Sequence, residues 1–262
     1  MSENLPVFSV AEEGDAMVVE TPTPPPERLP RGTVRASVIA ATVWCLLAAF
    51  WPYVALGDRP FSGWYVAVII ALFMAAGVLT AGIAAGVEKR YGQDEAALRV
   101  AGVSAYLGIG AGGVAATAAL AAHFGPGLGA GVFSVLPGVV GALCLIRAPF
   151  AAAGARGALR YARSRQAAIA HLRRYGRRSP GRLTSVRFRN RWQQGRPEFV
   201  VDVACPLGVL RAHMITWSDR VPLAGSPVVV VHAPGDPSSV LIDLGAGARF
   251  EADAAKYREP AG

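Results

Sequence analysis

Four long apolar runs dominate the first half of the chain. Each run is close to the ~20 residues that an α-helix needs to cross the hydrocarbon core of a bilayer, and the interiors of the runs contain no Asp, Glu, Lys or Arg. A helix of a soluble bundle would instead show a polar face that recurs every three to four residues. The pattern therefore predicts four transmembrane helices. They cover residues 37–56, 64–87, 100–124 and 128–146.

The segment before the first apolar run, residues 1–33, has a different composition. It contains six acidic residues and a cluster of prolines, and it shows no helical or strand periodicity. A segment with so little apolar surface to bury cannot offset the entropy of ordering, so we expect a disordered, acidic, proline-rich tail. A secretory signal would instead place an apolar run directly after a basic start, whereas the first long apolar run begins only after Arg35.

The chain becomes strongly basic after the fourth run. Fourteen arginines and no acidic residue lie between Arg147 and Arg196. Residues 155–178 are rich in alanine and contain no proline, and several of their arginines recur along one stripe at helical spacing. A basic amphipathic juxtamembrane helix is therefore predicted over residues 155–178. The stripe includes Arg156, Arg160, Arg163 and Arg174.

The four arginines of this stripe are expected to contact anionic lipid headgroups. A juxtamembrane arginine gains on the order of 1 kcal/mol from an anionic leaflet. Nucleic acid is disfavoured, because only Tyr161 and Tyr175 could stack on bases and the segment begins next to the bilayer. A protein partner with an acidic face remains an alternative, and the acidic tail of this chain is one candidate.

Residues 181–250 change to short β-type runs separated by turn signals. The Ser-Pro-Gly sequence at residues 179–181 is expected to end the preceding helix, and residues 251–262 form a short C-terminal tail. Five predicted strands indicate a small antiparallel barrel or sandwich. The fold class is thus an α-helical membrane protein, with its transmembrane domain over residues 34–154, followed by a small all-β domain. The strands cover residues 183–192, 198–205, 209–217, 227–232 and 239–244.

Positive charge in the connections between the runs orients the chain. Cytoplasmic connections of membrane proteins carry an excess of Lys and Arg. Three segments are basic here: the one before the first run, the link between the second and third runs, and the one after the fourth. The other two links carry either Arg59 beside Asp58 or no formal charge. We therefore expect a multi-pass protein of the cytoplasmic membrane, with both termini and the β-domain inside.

Composition excludes several kinds of site. Charged residues make up 17% of the chain, below the ~25% of a typical soluble domain. The three cysteines, Cys45, Cys144 and Cys205, have no CxxC spacing, and the four histidines are scattered singly. Neither a disulfide framework nor a metal site is predicted. No nucleophile, base and carboxylate can be grouped from the sequence, so we expect no cofactor and no enzymatic activity.

Glycines spaced four apart occur in the second, third and fourth runs. Small residues let helix backbones approach closely in a membrane, so tight packing is predicted there, within one chain or between chains. Gly108, Gly110 and Gly113 also satisfy the dinucleotide pattern GxGxxG, but that motif binds pyrophosphate only between a strand and a helix, and no strand is predicted before them. The packing pairs are Gly82 and Gly86, Gly108 and Gly112, and Gly127 and Gly131.

The end of the β-type region carries a recognisable motif. Residues 228–237 have the sequence Val-Val-Val-Val-His-Ala-Pro-Gly-Asp-Pro, and residues 181–186 and 197–203 precede it as two further runs. These runs resemble a widespread bacterial β-domain of unknown function, whose motif is Val-x-Val-x-Tyr-x-Pro-x-Asp-Pro and whose members are commonly attached to membrane helices. Leu183 and His232 stand where that family has Val and Tyr. The resemblance implies a β-fold in a bacterial multi-pass membrane protein, and it implies no catalytic residue.

These expectations favour a non-catalytic membrane protein. It would act as a scaffold or a regulatory interaction subunit at the inner face of the cytoplasmic membrane, bound to a membrane-protein partner or to a second copy. The alternative is a homo-oligomeric channel-like pore lined by the third run, which is rich in Gly and Ala and resembles pore-lining helices of channels that carry a β-domain after the last span. A pore usually needs a polar ring or a constriction, and Ser104, Tyr106 and Thr117 are the hydroxyls that this run offers.

Overall fold

The computed structural model of the protein describes most of the chain and divides it into two compact units. The helical unit is Thr23–Arg163, and the β unit combines Met1–Pro22 with Ser164–Gly262. The described residues are 6–10, 17–55, 63–124, 131–193, 195–233 and 236–259.

Among the described residues, four helices are long and apolar enough to cross a membrane. The helices extend beyond the apolar runs because residues with good helix propensity follow or precede the runs and continue the helical hydrogen bonding. The third helix, for example, begins with Asp94 and Glu95, whose negative charges favour a helix N-terminus. The helices are α1 (Arg31–Ala55), α2 (Gly63–Tyr91), α3 (Asp94–Phe124) and α4 (Gly131–Tyr175).

Helix α4 is one continuous helix of 45 residues. The sequence predicts two helices here, over residues 128–146 and 155–178, and the structure joins them. The residues between them include four alanines, which propagate a helix well, and Pro149 lies inside the helix without ending it. The helix ends at Tyr175 rather than at residue 178, because Arg177 already belongs to a strand.

The core of the helical unit lies where α2 ends and α3 begins. Val87 and Tyr91 on α2 pack there with Ala97 on α3 and with Ala158 and Ala162 on α4. This part of α4 was predicted to lie against a lipid surface. In the structure the face that carries Ala158 and Ala162 is buried by the neighbouring helices, while Arg156 and Arg160 are exposed.

In the described part of the β unit, six antiparallel strands form one sheet. Their order is β1-β4-β3-β2-β5-β6, and the two outermost strands also contact each other. The sheet is therefore nearly closed and barrel-like. The strands are β1 (Val7–Ser9), β2 (Arg177–Gln193), β3 (Arg196–Cys205), β4 (Gly208–Ile215), β5 (Pro227–Ala233) and β6 (Asp236–Leu244).

The first strand corrects the prediction that residues 1–33 are disordered throughout. Val7–Ser9 pairs with Ile215, Met214 and His213 of β4, and Phe8 is buried in the barrel core. Met17 and Val18 are buried as well. The few apolar residues of this segment are thus used to attach it to the sheet, which has six strands rather than the five predicted.

The second strand corrects the prediction that Ser-Pro-Gly ends a helix. Arg177–Arg182 pairs with β5, and the rest of β2 pairs with β3. Gly181 lies where the strand changes partner, and a Cβ there would stand 3.1 Å from the carbonyl oxygen of Ala204. Glycine at this position lets the backbones of β2 and β3 approach closely. The Ser-Pro-Gly sequence therefore lies within a strand, because pairing with β5 outweighs its tendency to form a turn.

The interior of the barrel follows the two-residue period of the strands. Phe199, Val201 and Val203 of β3 point inward and are fully buried, while Asp202 between them points outward to Arg211. Near the C-terminal end of the described residues, Tyr257 packs edge-on against Phe199 of the barrel core. The alternation predicted for residues 198–205 is therefore the one that builds the core.

Candidate functional site

The predicted headgroup arginines lie on α4, mostly on its exposed side. Arg156, Arg160 and Arg174 are exposed, and helical spacing places them along one stripe. Ala155 and Leu159 lie on an adjacent face of the helix and are buried. Three of the four arginines are thus free to meet a charged surface.

Arg163 has a different role. Its Nε donates a hydrogen bond to the Leu159 carbonyl oxygen at 3.1 Å, and its Nη1 donates to the carbonyl oxygen of Glu27. Tyr91 on α2 holds the same leading segment by donating to the Pro26 carbonyl oxygen at 3.2 Å, and Arg90 donates to Thr33 Oγ1 in the first turn of α1 at 3.1 Å. These contacts fasten the segment before α1 to the helical unit.

The predicted packing glycines differ in what they touch. A Cβ on Gly108 or Gly112 of α3 would overlap the backbone of α1, at the carbonyl oxygens of Ala41 and Cys45. On the other side of α3, a Cβ on Gly113 would overlap the Pro137 carbonyl oxygen of α4. The third helix is thus packed through glycine against two helices of its own chain.

The other two glycine pairs do not share this arrangement. No described atom lies within 4 Å of the position of a Cβ on Gly82 or Gly86. Gly127 lies outside the described residues, and Gly131 begins α4 at a position whose surroundings are not described. Of the predicted pairs, the α3 pair is the one that the structure places against another helix of the same chain.

A groove of about 570 Å³ runs between α1 and α3 in the helical unit, with one end at α4. Val38 and Thr42 line it from α1, and Ser104 and Leu107 line it from α3. Arg156 is the one charged side chain among its described lining residues. The sequence did not reveal this groove, because the placement of α4 beside α1 is tertiary information. A partial signal was present in the i, i+4 spacing of the lining residues on α1.

An arginine fixes the N-terminal arm, residues 17–21, inside the β unit. Arg173 on α4 donates from Nε and Nη2 to Glu20 Oε2 at 3.0 and 2.8 Å, and it also pairs with both oxygens of Asp243 on β6. Gln166, which is buried two turns earlier on the helix, accepts from the Thr21 amide at 3.2 Å and donates to the Val19 carbonyl oxygen. The sequence analysis missed both residues, since Arg173 lies off the predicted stripe.

Two further carboxylates of the barrel are also held by arginines. Glu198 is 3% exposed, and its Oε1 accepts from Arg189 Nη1 at 2.8 Å. Asp202 accepts from Arg211 Nε at 2.9 Å and from Ser185 Oγ at 2.8 Å. The hydrogen bond from Arg211, followed by that from Ser185, holds the pKa of the Asp202 carboxyl below its usual value. These acids are therefore part of structural ion pairs.

The groups considered for nucleophilic chemistry are dispersed. Cys205 Sγ contacts the carbonyl oxygen of Gly208 in its own turn at 3.4 Å. His232 Nε2 lies 3.3 Å from Ser179 Oγ on the neighbouring strand, and its Nδ1 lies 3.3 Å from the carbonyl oxygen of Ala233. Within the described part of the chain, no three His, Cys, Asp or Glu side chains are grouped so as to hold a metal ion.

The first prediction concerns the N-terminal arm. Replacing Arg173→Gln removes the pairs with Glu20 and Asp243, and partly exposed ion pairs of this kind each contribute on the order of 1 kcal/mol or less. Amide hydrogen exchange at residues 17–21 of the full-length protein should therefore become about threefold to fivefold faster. The matched control is Arg174→Gln, which removes the same charge one residue away at an exposed position. Equal acceleration by both variants, or by neither, would contradict the assignment.

Comparison with known proteins leaves the family open. No family model matches the chain, and the comparisons with curated proteins and with solved structures find no match. The function is therefore inferred from the residues and contacts described above.

Proposed function

We propose that this protein is a non-catalytic integral membrane protein, which acts as a scaffold or regulatory interaction subunit at the inner face of the cytoplasmic membrane. Its four apolar helices support membrane embedding, since side chains such as Val78 and Phe150 are largely exposed in the helical unit. A surface of this kind is stable in lipid and unstable in water.

The orientation follows from the basic connections. Arg31 and Arg35 begin α1, and Lys89 and Arg90 end α2. Because cytoplasmic connections are enriched in such residues, the N-terminus of α1, the α2–α3 link and the end of the apolar part of α4 are assigned to the cytoplasm. The β unit is then cytoplasmic as well.

One feature of the β unit supports an interaction role. At the turn between β3 and β4, Val209 is 70% exposed and Leu207 is 39% exposed. Arg211 on β4 is exposed beside them. Arg182 on β2 pairs with Ala204 on β3, and Ala204 pairs in turn with Val209 on β4. Arg182 therefore lies two strands away from Val209. We call Leu207, Val209, Arg182 and Arg211 the turn patch. Its apolar centre and basic rim suit a partner protein whose apolar surface has an acidic rim.

The packing of α3 favours this role over the alternative of a pore. A pore-lining helix needs one face on a water-filled channel, whereas the glycine faces of α3 are covered by α1 and α4 of the same chain. Three carboxylates of the barrel, those of Glu198, Asp202 and Asp243, are held by arginines, which is more typical of structural ion pairs than of a catalytic centre.

The second prediction tests the orientation. In a variant without native cysteines, Gly57→Cys in the α1–α2 link should react with a membrane-impermeant maleimide added to intact cells. The exposed Ala246→Cys in the β unit should react only after permeabilisation. Reaction of Ala246→Cys in intact cells would contradict a cytoplasmic β unit.

The third prediction tests the turn patch. A photo-crosslinking amino acid at Val209 of the full-length protein in cells should give one discrete adduct, whereas the same amino acid at the exposed position of Ala246 should not. Arg182→Glu should lower the adduct yield at least about fivefold, because a like charge then faces the acidic rim of the partner. An adduct of twice the chain mass would identify a second copy as the partner. No adduct above the Ala246 control would contradict the proposal.

A further inference from the structure

The groove between α1 and α3 has the length of one membrane leaflet. Its lining residues on α1 extend from Val34 to Leu46, and twelve helical steps of ~1.5 Å give about 18 Å. Half of a hydrocarbon core of ~30 Å is about 15 Å. A groove of this length, which starts at the cytoplasmic end of α1, reaches approximately to the middle of the bilayer.

The lining of the groove is almost entirely apolar. It includes Val34, Val38 and Leu46 on α1 and Val103 and Leu107 on α3. In water such an apolar groove would be unstable unless another protein segment covered it, whereas in a membrane lipid chains can occupy it. The shape and chemistry of the groove thus fit one extended acyl chain.

A positive charge lies at the cytoplasmic end of the groove. Arg156 lines it from α4 and is exposed, and no hydrogen bond or ion pair holds its guanidinium within the described part of the chain. Arg31 lies one turn before Val34, on the groove-facing side of α1 by helical spacing, and it is also exposed. Arg156 therefore stands where the phosphate of a lipid in the groove would be, and Arg31 adds a positive charge near the start of α1.

We propose that this groove is a binding site for a single anionic phospholipid, with an acyl chain along α1 and α3 and the phosphate group at Arg156. The proposal rests on the embedding of the four helices in a membrane and does not depend on the role of the turn patch.

Selectivity for an anionic lipid follows from the thermodynamics of the site. Moving an acyl chain from the bilayer into an apolar groove brings no hydrophobic gain, since lipid tails are as apolar as the groove. Preference for one lipid over another must therefore come from the headgroup. A guanidinium can donate two hydrogen bonds to a phosphate, and a second arginine nearby adds attraction for a net negative headgroup.

The experiment measures lipid binding to the full-length protein in detergent by native mass spectrometry. The probes are phosphatidylglycerol and phosphatidylcholine with identical acyl chains. The wild-type protein should retain phosphatidylglycerol in preference to phosphatidylcholine. Arg156→Gln should reduce phosphatidylglycerol binding about fivefold, and Arg156→Lys should keep most of it. Arg160→Gln is the matched control, because Arg160 is exposed one turn further along α4 and does not line the groove.

A second pair of variants tests occupancy of the groove rather than charge. Ala111→Phe fills the groove from α3, and it should reduce the binding of both lipids, because the ring takes the place of the acyl chain. Ala118→Phe is the control, since Ala118 is exposed two turns further along α3 and lies outside the groove. Circular dichroism and gel filtration in detergent check that each variant is folded.

Two outcomes would overturn the inference. Equal losses with Arg156→Gln and Arg160→Gln would mean that the protein attracts anionic lipid diffusely, without a site. Unchanged lipid retention in Ala111→Phe would mean that no chain occupies the groove. If alkaline carbonate released the wild-type protein from membranes, the membrane proposal itself would fail, and that result is distinct from both.

Discussion

The helical unit depends on direct contact between helix backbones. Gly108 and Gly112 bring α3 against the carbonyl oxygens of α1, and Gly113 brings it against α4. In a membrane, packing of this kind is what stabilises a helix bundle, because lipid provides no hydrophobic drive for helices to associate. It also packs one part of the α3 surface against α1 and another against α4, and a groove lined mainly by apolar side chains of α1 and α3 lies beside these contacts.

Charge is used in two separate ways. Several acids of the barrel are held by arginines, as with Asp243 and Arg173 or Glu198 and Arg189, and these pairs fix the strands and the N-terminal arm. The surplus arginines, such as Arg156 and Arg182, remain exposed. A chain with a net charge of +8 thus presents positive groups to its surroundings, and this excess underlies both the assigned orientation and the proposed lipid site.

Local patterns in the sequence were sufficient to predict the helices and most of the barrel. An apolar run marks a membrane helix, and alternation marks strands such as Arg196–Cys205. The patterns failed where distant segments decide the structure. Val7–Ser9 forms a strand because it pairs with the edge of β4, which lies some two hundred residues later in the chain. Pro180 lies in a strand because β5 pairs with that part of β2. The groove could not be predicted, since it depends on how α4 passes beside α1.

The most direct test of the account compares alanine substitutions at two glycines, measured as the free energy of unfolding in detergent. Glycine to alanine in a helix ordinarily stabilises by up to about 1 kcal/mol, and Gly82→Ala should do so, because no described atom lies near its Cβ position. Gly112→Ala should instead destabilise by about 1 to 3 kcal/mol, the cost of overpacking, because its Cβ would overlap the backbone of α1. If Gly112→Ala stabilised the protein as Gly82→Ala does, α3 would not pack against α1 and the account would be contradicted.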